Sequence, residues 1–353
     1  MARCLIGCGS NRGDRREQLD RAVELLRFMP GVSLVAVSRY RETRPIGGPA
    51  GQGPFLNGAC LIDTVLPPHD VLGILTAVEN TLHRERVVRW GERSIDLDLL
   101  VYEDVVLDSG SLTIPHPRMA TRRFVLEPCV EIAADLPHPV LGCSLRDLLA
   151  TITAPSPLVA VVGVPGSGAK EIVTTLADTL LAPAVHAPVP PPRTGDPRAW
   201  RGTADAWADT FASLPDDSCH PIVADSWLGM LPLAAAEYLD AAETAKLTEY
   251  VERLDVPRPQ VALLLVASSA ALEERCSFRS RDVPPASDVF IDVAAVAAVC
   301  GSAAPLERLQ QRLIDRLLGE GRRGDTPRAV VAIPADDLGL ATDEAIAAVE
   351  AMS

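Results

Sequence analysis

Between Ser94 and Tyr102 the chain reads SIDLDLLVY, two carboxylates alternating with aliphatic side chains. In a strand, residues i and i+2 project from the same face. Asp96 and Asp98 therefore point together, while Ile95, Leu97 and Leu99 turn into a core. Neighbouring carboxylates repel, and burying them is costly unless a cation compensates. A divalent ion such as Mg²⁺ suits the pair, because it takes few protein carboxylates and completes its shell with water and phosphate oxygens. A solvated strand face carrying two acids is the plainer reading, and the pair alone leaves both open.

The flanking residues bear on that choice. Arg84, Arg86, Arg89 and Arg93 cluster just upstream, in LHRERVVRWGERS. Guanidinium groups offer fixed paired donors to phosphate. Taken alone, such a cluster is also what a solvated helix end looks like. Beside an Asp-x-Asp it points to a polyphosphate held between metal and arginine.

Local patterns order the rest of the first half. Residues 3–9 read as a strand. Asp14 precedes Glu17 at capping-box spacing, and Leu19, Ala22, Val23 and Leu26 predict a helix over 15–29, stopped by Pro30-Gly31. A strand over 32–40, a Gly- and Pro-rich loop over 43–54, a strand over 55–64 and a helix over 67–84 lead to the strand at 94–102. Strand, helix, strand, strand, helix, strand fits an α+β ferredoxin-like sandwich. TAPSP (Thr153–Pro157) reads as a linker, giving domains at 1–152 and 158–353. Beyond it, strands at 158–162, 221–224, 261–267 and 329–333 alternate with helical stretches, and 182–197 reads as a Pro-rich loop. That pattern suggests an α/β domain with a mostly parallel sheet.

The chain has 353 residues and net charge −14. Residues 1–154 hold 17 Lys+Arg and 19 Asp+Glu, so almost all of the acidity lies in the second half. This disfavours a nucleic-acid partner. The eight cysteines form no CxxC pair and read as reduced core thiols. No apolar run is long enough for a bilayer and no signal peptide opens the sequence, so a cytoplasmic protein without membrane attachment is expected.

Five ordered stretches carry a family resemblance: GCGSNRGD (Gly7–Asp14), SRYRETRPIG (Ser38–Gly47), PFLNGAC (Pro54–Cys60), RWGERSIDLDLLVY (Arg89–Tyr102) and LTIPHPRMATRRFVLEP (Leu112–Pro128). Through them, residues 3–150 resemble the 6-hydroxymethyl-7,8-dihydropterin pyrophosphokinases of folate biosynthesis. The resemblance implies transfer of pyrophosphate from ATP, as co-substrate, to the pterin hydroxymethyl group, with AMP released. It implies that Asp96 and Asp98 hold two Mg²⁺ ions and that Arg84 and Arg93 contact the phosphates, these four being the catalytic set. Arg86 and Trp90 fall in a loop that closes over the site, and Leu99, Thr113, His116 and Arg122 fall on the ATP side. Phe55 and Phe124 match the aromatics that stack on the pterin, Asn57 and Glu79 match residues at its edge, and Thr43, Pro45 and Ile46 line its loop. Without the resemblance, Phe55 and Phe124 read as core residues and His116 as a surface residue. A Phe stands at 55 where the family often has Tyr, and Pro117 follows His116 where an aromatic is frequent.

The second half opens with VAVVGVPGSGAKE (Val159–Glu171), where a strand meets a helix. Gly163, Gly166 and Gly168 nearly spell a P-loop, G-x-x-x-x-G-K-[ST]. Ala169 stands where the phosphate-reaching lysine belongs, and Lys170 where the metal-binding hydroxyl belongs. One step along a helix turns a side chain about 100° away. VADSW (Val223–Trp227) and ERCSFRSRD (Glu274–Asp282) fall where deoxynucleoside kinases keep an Asp-Arg-Ser motif and a lid of arginines. The reading is a P-loop kinase-like domain that has lost catalysis; a working nucleoside or nucleotide kinase, an unrelated Rossmann-like module, and a regulatory nucleotide-binding protein are the alternatives. Homodimerisation through this domain stays open.

Overall fold

The computed structural model describes residues 1–84, 90–155, 157–188, 192, 194–214, 220–282, 304–319, 322 and 326–353, with the backbone alone over 276–282. The chain forms two compact units. One is Met1–Thr153 together with Ala347–Ser353; the other is Ala154–Ile346. The last seven residues, which the sequence pattern assigns to the second domain, thus pack with the first unit.

In the first unit, β1 (Ala2–Ser10), β2 (Val32–Val37), β4 (Phe55–Thr64) and β5 (Asp96–Tyr102) form an antiparallel sheet in the order β2-β4-β1-β5, and β3 (Arg41–Thr43) also pairs with β4. Helices α1 (Arg15–Arg27) and α2 (Pro68–Thr81) bury Leu19, Ala22, Leu26, Val71, Leu75 and Val78 against Ile6, Cys8, Cys60, Ile62, Leu97 and Leu99 of the sheet. This aliphatic layer is the product of the period-2 and period-3.6 patterns meeting face to face. Asp14 caps α1, its Oδ1 accepting from Glu17 N at 3.0 Å. A short hairpin of β6 (Leu107–Asp108) and β7 (Thr113–Ile114) follows β5, and then α3 (Arg123–Ala133) and α4 (Leu145–Ile152).

Two boundaries of the first unit fall three residues short of the sequence pattern, each for a local reason. The strand expected over 32–40 breaks at Ser38, whose Oγ accepts from Ala59 N at 2.9 Å and so takes a ladder donor from the backbone. The helix expected to reach Arg84 ends at Thr81, because His83 adopts a left-handed conformation (φ 55°). That reversal brings Arg84 N back to Glu79 O at 3.0 Å.

In the second unit, β8 (Leu158–Val162), β9 (Ala184–Val185), β10 (Ile222–Ala224), β11 (Val261–Val266) and β12 (Ala329–Pro334) make a parallel sheet in the order β12-β11-β8-β10-β9. The expected loop over 182–197 contains β9. Seven helices among the described residues belong to this part of the chain: α5 (Ala169–Leu180), α6 (Pro197–Ala212), α7 (Met230–Ala235), α8 (Ala241–Arg253), α9 (Ser269–Asp282), α10 (Ala304–Leu318) and α11 (Leu338–Glu350). Trp200, Trp207 and Phe211 of α6 fill the core with Leu158, Ile222 and Leu231. Among the described residues no helix is long and apolar enough to cross a membrane.

Candidate active site

The site is built on the sheet face opposite the α1–α2 core. The register between β5, β1 and β4 sets Asp96 across from Gly9, and Gly9 across from Asn57. Asp98 lies across from Gly7, and Gly7 across from Ala59. Partners in antiparallel strands share a face, so the acidic pair and Asn57 look out over the same two glycines. Gly9 has to be glycine for a steric reason. A Cβ there would lie 2.7 Å from Asn57 Oδ1 and 3.9 Å from Phe55 Cδ1. The missing side chain lets Phe55 and Asn57 close on β1.

Arginine meets carboxylate at the β5 edge. Arg84 Nη2 lies 2.5 Å from Asp96 Oδ1. Arg84 Nη1 pairs with Glu79 Oε1, and Arg93 Nη1 pairs with Asp96 Oδ2. Glu79, at 4% exposure, is a buried carboxylate, and its Oε1 also accepts from Leu97 N at 2.7 Å. Leu97 sits between the two aspartates, so Glu79 fixes both the strand backbone there and the adjacent guanidinium. Arg93 is set by Asn11, whose Oδ1 accepts from Arg93 N at 2.7 Å while Asn11 N donates to Arg93 O at 3.1 Å.

The charges are unevenly compensated. Both arginines converge on Asp96, whereas the Asp98 side chain is 43% exposed and faces His116 Nε2 at 4.0 Å. Burial, and then the charge of Asp98, raise the Asp96 carboxyl above its ordinary value, against the pull of Arg93 and Arg84. Burial draws the Arg84 guanidinium down, but Glu79 and Asp96 hold it above its usual range. Burial, with Arg122 and Arg118 nearby, lowers His116 to about 3. The imidazole is therefore neutral. Its Nδ1 accepts from Arg118 N at 3.2 Å, which leaves the proton on Nε2, toward Asp98. His116 N donates to Leu100 O at 2.8 Å, which ties this loop to β5.

Among the described residues no three His, Cys, Asp or Glu side chains gather as a metal-holding group. The protein itself offers two carboxylates on one face, one of them open. That donor set fits a hard cation whose remaining ligands are phosphate oxygens and water, and does not fit a closed structural metal site.

The other predicted residues distribute around this centre. Asn57 Nδ2 donates to Thr43 Oγ1 at 2.8 Å, so β3 and β4 hold each other beside the glycine row. Pro45 and Ile46 are half-buried in the following loop. The Trp90 indole lies against Gly47, where a Cβ would come within 2.8 Å of Cε3, and both glycines 47 and 48 have positive φ. Phe124 is half-buried at the start of α3, with the Arg122 guanidinium 5.6 Å from its ring centre. Thr113 Oγ1 donates to Asp108 Oδ1 at 3.2 Å on the β6–β7 hairpin. Leu99, at 3% exposure, belongs to the aliphatic core, so only its backbone is available to a ligand. Arg86 lies outside the described residues. Gly9 and Asn11 carry no signal in the sequence beyond membership of the GCGSNRGD stretch; Gly9 acquires its place from strand pairing and Asn11 from backbone bonds to Arg93, just beyond the ends of β1 and β5.

In the second unit, Gly163, Gly166 and Gly168 form the turn between β8 and α5, with Gly168 at φ 95°. Lys170 is exposed on the first turn of α5. Arg275 donates to Gly166 O at 3.2 Å and to Asp336 O at 2.6 Å, bracing the turn from α9. At the ends of β9 and β10, His186 Nδ1 and Asp225 Oδ2 lie 2.5 Å apart. The side chains of residues 276–282 of the arginine-rich segment lie outside the described ones.

Residues 5–134 match the family model described as 7,8-dihydro-6-hydroxymethylpterin-pyrophosphokinase. The 2-amino-4-hydroxy-6-hydroxymethyldihydropteridine pyrophosphokinase of Pseudomonas aeruginosa is 41% identical over 150 residues, 42% of this chain and 91% of that protein. Its namesake in Methylorubrum extorquens is 42% identical over 152 residues, 43% of this chain and 94% of that one. That of Bacillus subtilis is 44% identical over 127 residues, 36% of this chain and 75% of that one. Among solved structures, a deoxyadenosine kinase from M. mycoides covers 56% of this chain and 100% of its own, at 12% identity and a TM-score of 0.41, a similarity too low to carry an argument.

Proposed function

This chain belongs, through its first unit, to the 7,8-dihydro-6-hydroxymethylpterin-pyrophosphokinase family, and from that premise we propose how its residues carry the family's reaction. The enzyme transfers pyrophosphate from ATP to 6-hydroxymethyl-7,8-dihydropterin, giving the pterin diphosphate and AMP, in folate biosynthesis. The observation that carries the reading is the row Asp96–Gly9–Asn57, which brings the Asp96–Asp98 pair and the Asn57 amide onto one sheet face.

Asp96 and Asp98 would hold Mg²⁺. When bound, that ion neutralises phosphate charge and orients the attacking oxygen. Arg84 and Arg93 bind Asp96 in the free protein and offer their remaining donors to the triphosphate, stabilising the transferred group. Glu79 holds Arg84 and the backbone between the aspartates. Neutral His116 directs an Nε2 proton toward the ATP side of the site. Phe55 and Phe124 present aromatic faces to the flat pterin, and Asn57 addresses its edge, oriented by Thr43. Trp90, seated on Gly47, joins the two loops over the site and excludes water, which would otherwise compete as acceptor.

The finer fold reading is a ferredoxin-like α+β sandwich over residues 1–152, and a P-loop-like α/β domain over the second part of the chain. The strand order of the parallel sheet and the glycine turn after β8 support the latter. Ala169 in the lysine position favours a domain without catalysis. Incubating the whole chain with ATP, Mg²⁺ and the pterin tests the assignment. AMP release that requires both the pterin and Mg²⁺ supports it. ADP formed only on adding deoxynucleosides, or ATP binding without turnover, contradicts it.

A further inference from the structure

Helix α3 begins without a cap of its own. Arg122 stands at the N-cap position and makes no side-chain cap hydrogen bond. Residues of this type leave the first N–H groups of a helix unsatisfied. Here the far end of the chain supplies the partner. Arg123 N, the first N–H of α3, donates to Ala351 O at 2.8 Å. The Arg123 guanidinium donates through Nη1 to Ser353 O at 3.1 Å, and through Nε to Glu127 Oε1 at 2.8 Å. Val349, Ala351 and Met352 are buried, each at 5% exposure or less. Residues 347–353 are accordingly part of the first unit, although nearly two hundred residues of sequence separate them from Thr153.

What α3 carries makes this cap consequential. Phe124 is its second residue, with Arg122 immediately before it. Farther along, Glu127 and Glu131 pair with Arg41 of β3 at 3.7 and 3.1 Å, two residues from Thr43. The register of α3 thus sets one aromatic face of the pocket and steadies the strand that orients Asn57. We propose that residues 351–353 are a positioning element of the pterin site, the Ala351 carbonyl capping the helix that presents Phe124. The relatives described above align with less than half of this chain.

The inference rests on the pyrophosphokinase reading of the first unit, and its test separates the two. A chain ending at Glu350 keeps all of α11 and loses the cap. Its KM for the pterin is expected to rise roughly tenfold, the size of one N-cap, with kcat within about twofold of the full chain. Arg123→Ala keeps the Ala351 bond and loses the side-chain bonds to Ser353 and Glu127, so a rise of about threefold is expected. A merely structural role predicts the opposite split, a lower kcat from fewer folded molecules at unchanged KM. That split, or full-chain KM values in both the shortened chain and Arg123→Ala, would overturn the proposal. If the shortened chain does not fold, an unchanged pterin KM in Arg123→Ala overturns it. Failure of the full chain itself to release AMP would instead count against the assigned reaction.

Discussion

Gly9→Ala tests whether the glycine row is what lets the pterin side of the pocket form. The added Cβ would sit 2.7 Å from Asn57 Oδ1, closer than side-chain carbons come in folded proteins. Asn57 cannot swing aside freely: it is 8% exposed, and its Nδ2 is spent on Thr43 Oγ1 at 2.8 Å. Displacing it forfeits that bond, about 0.5–1.5 kcal/mol net, and an orphaned buried amide costs about 1–3 kcal/mol. Since about 1.4 kcal/mol is tenfold in affinity, the pterin KM should rise between threefold and a hundredfold, with a loss of stability in the same range. The ATP KM should change far less. Gly7→Ala is the internal control. Its Cβ would meet Leu100 Cδ1 at 3.3 Å, the end of a flexible side chain on the same sheet face but away from Asn57. Steady-state AMP release at varied pterin, together with urea unfolding, reads both effects. A Gly9→Ala enzyme whose pterin KM stays within about twofold of the parent would refute the reasoning.

Other outcomes follow from the same structure. Arg84→Met should cost about 3–5 kcal/mol in urea unfolding, because Glu79 is left buried without its cation and Asp96 keeps only Arg93; a cost below about 1 kcal/mol would mean that the three groups are not coupled. Gly73→Ala, in the middle of α2 with nothing within 4 Å of the new methyl group, should stabilise the first unit by about 0.5–1 kcal/mol. The Arg39 backbone N–H, aided by the Arg39 and Arg41 side chains, holds the Glu131 carboxyl below its ordinary 4.5. A depressed carboxylate contributes stability above its unfolded value that is lost as pH falls through the folded one. Glu131→Gln should therefore be less stable than the parent at pH 7, by about 1 kcal/mol, with the difference disappearing well below pH 4.5. A gap that persists in acid would point to lost packing.

Much of the acidic face of β5 was legible because it is local. Asp96 and Asp98 follow from strand alternation, and the arginines upstream from simple proximity in sequence. What could not be read is the pairing. Nothing near Gly9 says that it will lie between Asp96 and Asn57, since register is set by strands about fifty and ninety residues apart meeting across one sheet. Arg84 was expected near phosphate, but its partnership with Glu79 depends on the left-handed turn at His83, a backbone choice that a histidine does not announce. The break at Ser38 hides for a similar reason, as its hydroxyl looks like any strand serine until Ala59 lies opposite. Helix α3 carries Pro128 in its interior, which masks the pattern of its buried Leu126 and Cys129. The return of residues 347–353 to the first unit has no signature in composition or spacing.

The central claim is that the acidic pair on β5 serves transfer of pyrophosphate to the pterin. Asp98→Asn tests it most directly, because the substitution keeps the side chain's shape, removes one charge and breaks no arginine ion pair among the described residues. AMP release by the full-length variant, with ATP, Mg²⁺ and pterin all saturating, is predicted to fall by about 10²–10³. Unfolding should match or exceed the parent in stability, since Asp96 loses a repelling neighbour. A variant that folds as well and turns over at near the parent rate would contradict the account.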